Sequence, residues 1–409
     1  MKKALLGTTA LVAAGFAVGD AYAADTGVQL TIGGRYMGAA GALFGENSDF
    51  YHGSNTRNYV FKQDVEVYFQ GHTTLDNGLE VGARVELEGQ TQTSDQIDAV
   101  YAYFSGGFGQ VRFGDTGEAL GQMCYLVPSA SQIFGADSPN FNFSNAGLKG
   151  YGATNGTCYG VDDKATKIVY FSPNFGGFTF AASFAPDGSE DTHNTFQGAG
   201  TRLNNAGGGG HGTGGGNDSE NLSLAANYTH DFNGVHLVVG GGYTHSFNRE
   251  VNPNSVDHRS EYNGYAQVGF SGFTFGGAVS LRQNQGLDGQ DDLIYGAGVT
   301  YNWDAWTVGL GWTHGDYELI KVGQAIGVST GGKVTSTASG AYNEHYNVFA
   351  LTAAYALGPG IELDGVLEYD IAKGTDTAFT HAEVADPGKT SGNTIFSGFS
   401  VGLGTLINF

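Results

Sequence analysis

Residues 95–173 decide the fold. The stretch opens on an alternating run, Ile97-Asp98-Ala99-Val100-Tyr101-Ala102-Tyr103-Phe104, and turns through Ser105-Gly106-Gly107-Phe108-Gly109. A second short run follows, Gln110-Val111-Arg112-Phe113-Gly114. No steady period holds from Asp115 to Ala165, and the alternation resumes at Thr166-Lys167-Ile168-Val169-Tyr170-Phe171-Ser172-Pro173. A long irregular segment thus interrupts a run of β hairpins, and compact domains seldom carry such a loop unless it has a function. Both cysteines of the chain, Cys124 and Cys158, lie in it. The expected fold is all-β: an antiparallel transmembrane barrel whose third long loop, about 115–165, folds into the lumen and narrows it.

The same alternation recurs along the chain. In Leu79–Glu88, Leu79, Val81, Ala83, Val85 and Leu87 share one face, while Glu80, Arg84, Glu86 and Glu88 share the other. A strand of about ten residues with one apolar and one polar face suits a tilted membrane crossing between lipid and a wet lumen. Val28–Gly38 places Arg35 on its polar face, and Tyr59–Gln70 places Lys62, Asp64 and Glu66 there. Later strands include Leu222–His230, Val235–His245, Glu261–Phe270, Phe273–Arg282, Leu293–Tyr301, Trp306–His314, His345–Tyr355 and Ile361–Ile371, ending with Thr394–Phe409. The count reaches about sixteen. Short turns alternate with long polar connections, the layout of an outer-membrane barrel with short periplasmic turns and longer outer loops. Aromatic residues gather at the short turns (Phe104, Phe108, Phe175, Phe178, Phe232, Phe270, Phe273, Trp303, Trp306 and Tyr355), as a girdle at a membrane interface would require.

Composition agrees. The 409 residues include 69 Gly and 13% aromatics but only 14% charged residues, a balance suited to many short strands. A formal charge of −22, from 18 basic and 40 acidic residues, excludes nucleic acid as a partner. Lys2 and Lys3, the apolar run Ala4–Val18 and Ala21-Tyr22-Ala23 form a secretory signal, so residues 1–23 are expected to be removed and 24–409 to form the barrel.

Ala99–Gly114 resembles the fourth and fifth strands of the Gram-negative general porins, and Tyr170-Phe171-Ser172-Pro173-Asn174-Phe175-Gly176-Gly177-Phe178 is similar to another element of that family. The final strand, with Phe399, Val401, Leu403, Ile407 and Phe409 at alternate positions, resembles the C-terminal signal read by the barrel-assembly machinery; Thr405 interrupts the series. The resemblance implies a sixteen-stranded homotrimeric barrel in the outer membrane, in contact with the bilayer and lipopolysaccharide. It also implies passive diffusion of small hydrophilic solutes, no cofactor, and loop acids facing wall bases at a constriction. The wall bases are Arg35, Lys62, Arg84 and Arg112, with Lys167 beginning the strand after the loop. The loop acids are Glu118, Asp137, Asp162 and Asp163, of which Glu118 and Asp137 are the constriction candidates. Excess lumen acid, including Glu362, Asp364, Glu368 and Asp370, predicts a modest cation preference.

Cys124 and Cys158 are expected to pair in an oxidising compartment, two free thiols being the alternative. The Gly-rich stretch Gly207–Asp218 reads as a flexible outer loop; loosely bound divalent ions could gather at loop acids, but no metal site is named. An outer-membrane enzyme and a closed adhesin or structural barrel are the competing classes. No nucleophile elbow, zinc-protease motif or phosphate loop supports the enzyme.

Overall fold

The structure, a computed structural model, describes residues 27–44, 58–90, 96–143, 156–158, 160, 164–187, 219–247, 258–284, 291–322, 338–374 and 393–409. The signal segment, Asp162, Asp163 and the Gly-rich stretch lie outside these residues. Sixteen antiparallel strands form one closed barrel. They are β1 (Gln29–Phe44), β2 (Tyr59–Thr74), β3 (Glu80–Glu88), β4 (Ile97–Gly106), β5 (Gly109–Asp115), β6 (Thr166–Phe171), β7 (Phe178–Asp187) and β8 (Ser219–Phe232). The second half comprises β9 (Val235–Phe247), β10 (His258–Phe270), β11 (Phe273–Gln283), β12 (Asp292–Trp303), β13 (Trp306–Val322), β14 (Ala338–Gly358), β15 (Ile361–Gly374) and β16 (Asn393–Asn408). One short helix, α1 (Ala119–Met123), lies between β5 and β6.

Each strand pairs with its sequence neighbours, and β16 pairs with β1 to close the ring. Alternation sets the faces. Leu30, Ile32, Phe61, Phe113, Leu310, Leu351 and Leu403 point outward and are exposed on the isolated chain, as lipid-facing residues are. Two-residue turns carry the residues their geometry needs. Asn233 (φ 49°) with Gly234 (φ 89°), and Ser271 (φ 49°) with Gly272 (φ 84°), hold the paired positive φ angles that match strand twist in tight hairpins.

The expected aromatic girdle at the short turns is present as cross-strand pairs, with ring centroids 4.4 Å apart for Phe178–Tyr228 and Phe273–Tyr301 and 4.7 Å for Trp306–Tyr355. A second belt lies nearer the other rim. Tyr243–Tyr262 at 4.9 Å, Tyr295–Trp312 at 5.7 Å and Tyr369–Phe399 at 4.4 Å belong to it. One expectation needs correction. β13 and β14 run well past His314 and begin well before His345, because their ladder continues above the membrane to Val322↔Ala338.

The last residue completes the closure. Phe409 N–H donates to the Gly34 carbonyl at 3.0 Å, and Gly34 N–H donates to the Phe409 carbonyl at 2.8 Å. The Phe409 ring lies over Gly34, where a Cβ would sit 2.7 Å from the ring carbon Cζ. Deleting Phe409 should therefore lower the yield of heat-resistant barrel on unheated gels; an unchanged yield would show that the terminal pair is dispensable.

Candidate pore constriction

The segment after β5 follows the inner wall from β7 round to β1. Glycine on that wall makes the close approach possible. A Cβ at Gly298 of β12 would lie 2.7 Å from the Pro128 carbonyl oxygen, and one at Gly309 of β13 would lie 2.8 Å from Ala130 N. Gly402 and Gly404 of β16 and Gly41 of β1 leave the same room for Phe143 and Ile133. Beyond them the loop's Ile133, Phe134, Phe141 and Phe143 join Met37, Ala39 and Leu43 of β1 and Val366 of β15 in one buried apolar cluster. At roughly 1.5–3 kcal/mol per fully buried large apolar side chain, this cluster favours the docked position.

Polar wall residues satisfy the loop's backbone, as buried peptide groups require. Ala119 N–H donates to Ser183 Oγ at 3.0 Å and Leu120 N–H to Ser223 Oγ at 2.9 Å. The Tyr265 hydroxyl donates to the Met123 carbonyl at 2.7 Å, and Gln267 Nε2 to the Leu126 carbonyl at 2.9 Å. Ala130 N–H donates to Thr352 Oγ1 at 3.0 Å, and Thr313 Oγ1 to the Ala136 carbonyl at 2.5 Å.

The structure divides the sequence-predicted bases into two groups. Arg35 and Arg84 face the open lumen, with side chains 32% and 27% exposed. Lys62 and Arg112 instead hold the loop. Arg112 is buried, donates to Gln122 Oε1 at 2.7 Å, and lies over the Tyr101 and Phe171 rings at 5.0 and 4.8 Å. Lys62 donates to the Asn142 carbonyl near the middle of the loop. Lys167 donates to the Thr116 carbonyl at its start, and Arg282, which sequence reasoning missed, donates to the Gly156 carbonyl at 2.6 Å. A cation and a carbonyl form a charge-assisted hydrogen bond that tolerates burial. Four bases thus act as clamps along the loop.

The acids also differ from expectation. Glu118 and Asp137 do not line the opening. Glu118 is buried at the start of α1 and accepts from Thr244 Oγ1 at 3.2 Å. Asp137 is buried within the loop, accepting from Val127 N–H at 2.8 Å, Thr157 N–H at 2.8 Å and Thr157 Oγ1 at 2.6 Å. Burial pushes its carboxyl above the ordinary carboxylate range, and the donors from Thr157, Val127 and Ser138 pull it back. Asp137 is a brace between the two arms of the loop. The Cys124–Cys158 disulfide joins the same arms, with Cα atoms 6.1 Å apart. Asp364, Glu368 and Asp370 of β15 face inward but are buried, Asp370 accepting from the Tyr346 hydroxyl at 3.0 Å.

From Thr116 to Phe143, no partly exposed loop side chain is charged; Gln122, Tyr125 and Gln132 are partly exposed and Asn140 is exposed. Partly exposed charged side chains cluster on the β1–β3 wall. Arg35 pairs with Glu66 and lies 3.8 Å from Asp64. Glu66 accepts from the Tyr68 hydroxyl at 2.5 Å, Arg84 lies 4.3 Å above the Tyr68 ring, and Arg84 Nε meets Glu86 at 2.6 Å. The result is a ribbon of alternating charge on the β1–β3 wall, while the partly exposed side chains of loop residues 116–143 are uncharged.

Two measurements check this assembly. In an Asp137→Ala variant the Val127 and Thr157 amides lose their acceptor, so their hydrogen exchange should rise on the order of tenfold while barrel amides keep their protection. Peptide mapping without reductant should recover Cys124 crosslinked to Cys158, and alkylation of either thiol in the native protein would contradict the bond.

Comparison with known proteins gives the same fold. An anion-selective porin from Comamonas acidovorans is 16% identical, with 94% of this chain and 100% of that chain covered at a TM-score of 0.55. The in-vitro folded trimer form of OmpT, an outer-membrane protein of Vibrio cholerae, is 12% identical at the same coverage and TM-score. At these identities the likeness is one of fold. No curated protein sequence matches the chain. The family model described as Gram-negative porin matches residues 7–375. That match runs from before the first strand to the end of β15, and the chain therefore belongs to the Gram-negative porin family as an integral β-barrel of the outer membrane.

Proposed function

We propose that this porin passes small hydrophilic solutes and ions by passive diffusion, with a modest preference for cations. The observation that carries the reading is the one-sided placement of the loop. Its described part follows the β7–β1 arc, and the facing β1–β3 wall carries partly exposed charged side chains. Asp64, Glu66, Glu80, Glu86 and Glu88 accompany only Arg35, Lys62 and Arg84 on the inner face of β1–β3, and Lys62 is bonded to the loop, so acid exceeds base there. A negative wall raises the local cation concentration, and with a Debye length of about 8 Å at physiological salt the nearest charges dominate. The Comamonas porin's anion selectivity belongs to that protein and does not transfer at this identity.

The same reading includes a homotrimer in the bilayer, lipopolysaccharide around the outer rim, and assembly machinery that reads the strand ending at Phe409. The solute gradient supplies the driving force, so no cofactor is required.

Bilayer recordings in a salt gradient test the reading. The wild-type reversal potential should indicate modest cation preference, stronger at low salt. Arg84→Gln should increase that preference and change conductance, because it removes a lumen-facing base and leaves Glu86 uncompensated. Arg112→Gln should act differently, raising current noise by loosening Gln122. An Arg84→Gln reversal potential equal to wild type would place that residue away from the ion path. Liposomes that fail to swell in small sugars would favour a closed barrel or an enzyme.

A further inference from the structure

The outer wall carries a polar cluster that pore formation does not use. His314 and Asp316 are two residues apart on β13 and share its outward face. The β13–β14 register sets Asp316 opposite His345 and His314 opposite Asn347. His314 Nε2 lies 2.9 Å from Asp316 Oδ1, and His345 Nδ1 contacts the same oxygen. The possible ligand atoms of the three residues all lie within 4.8 Å of one another. The imidazole planes are 18° apart, with centroids 6.2 Å apart.

The hydrogen-bond network around His314 narrows what this cluster can be. Trp312 Nε1, which can only donate, lies 3.2 Å from Asn347 Oδ1 and so fixes that atom as the amide oxygen. His314 Nδ1 lies 2.9 Å from the same oxygen and must therefore carry a hydrogen. In the neutral imidazole, Nε2 is then a bare lone pair aimed at a carboxylate oxygen. That contact is repulsive unless a proton or a cation lies between the two atoms. An outer hydrogen bond that fixes the tautomer and turns the free nitrogen toward a carboxylate is the arrangement that supports histidine ligands of metals.

Position matters as well. Asp316 lies ten residues above Trp306 on β13, about 33 Å along the strand and about 25 Å along the membrane normal at a tilt of roughly 40°. An apolar band is about 25 Å tall, so the cluster sits at the outer interface, just above Tyr295, whose ring lies 5.3 Å from that of His314. His345 is exposed and the other two are partly exposed, so a hydrated ion can reach them.

We propose that His314, Asp316 and His345 form a site for a borderline-soft divalent cation of the zinc class on the barrel's outer wall. Two imidazole nitrogens and one carboxylate oxygen fill three tetrahedral positions and leave the fourth open to water or an anionic group at the membrane surface. Tetrahedral bonds of about 2.0–2.1 Å set ligand atoms about 3.3 Å apart, within the 4.8 Å span of the present ligand atoms. Calcium and magnesium take oxygen ligands and fit this set poorly.

The test uses the full-length barrel in detergent at neutral pH, with zinc chloride alone as titrant. Calorimetry should show one saturable site per chain that persists in excess calcium. His314→Asn with His345→Asn should weaken it at least a hundredfold, and Asn347→Leu about tenfold, with conductance and heat resistance unchanged. A readout that needs no variant is modification by diethylpyrocarbonate with peptide mapping, in which zinc should protect His314 and His345 selectively. Zinc that protects neither histidine, or that binds equally well after both are replaced, overturns the proposal.

Discussion

Hydrocarbon offers no partner to a peptide N–H or C=O, so every backbone polar group that crosses it must be paired within the protein. In a sheet this condition holds only if no edge is left open. The β1–β16 ladder meets it, from Arg35↔Asn408 to Phe44↔Phe399. The chain's first strand therefore depends on its last. Sixteen strands with short turns at one end follow from repeating one hairpin until the edge disappears, and the reciprocal Gly34–Phe409 hydrogen bonds finish the seam.

Inside the barrel the same condition is met by different means. The loop after β5 cannot extend the ladder, so side chains of the wall satisfy its amides and carbonyls, and the wall glycines let it lie close enough for them to reach. Lys62, Arg112, Lys167 and Arg282 donate to loop oxygens at points spread along its length. Their long side chains span the gap between wall and loop, and their charge strengthens each bond. One consequence for the pore is that bases expected to face solutes are used up as fasteners. Another is that β15 acids are covered. Among the described residues, Arg35, Arg84 and their acidic neighbours are the partly exposed charges left on the β1–β3 wall beside Lys62.

On the outside, the lipid-facing surface is apolar between two aromatic belts, and its chemistry changes where β13 and β14 rise above the upper belt. Pairing there is as regular as it is below. The rigid ladder that serves closure also holds His314, Asp316, His345 and Asn347 in fixed register at the interface.

Much of this was legible in the sequence because a strand between lipid and water has a period of two, and a one-residue slip would turn every side chain to the wrong side. Strand number, the faces of Arg35, Arg84 and Glu86, the turn residues Asn233-Gly234 and the irregular segment carrying both cysteines could all be read locally. The roles of Arg112, Lys62, Glu118 and Asp137 could not. Alternation says that a side chain points inward, but not whether a loop covers it, and the covering residues are often far away in the chain. Gln122 meets Arg112, Asn142 meets Lys62 and Thr244 meets Glu118 only because the loop docks on the wall. The cluster on β13 and β14 was hidden for the same reason, since His314 and His345 become neighbours through strand register, which a single strand's pattern does not contain.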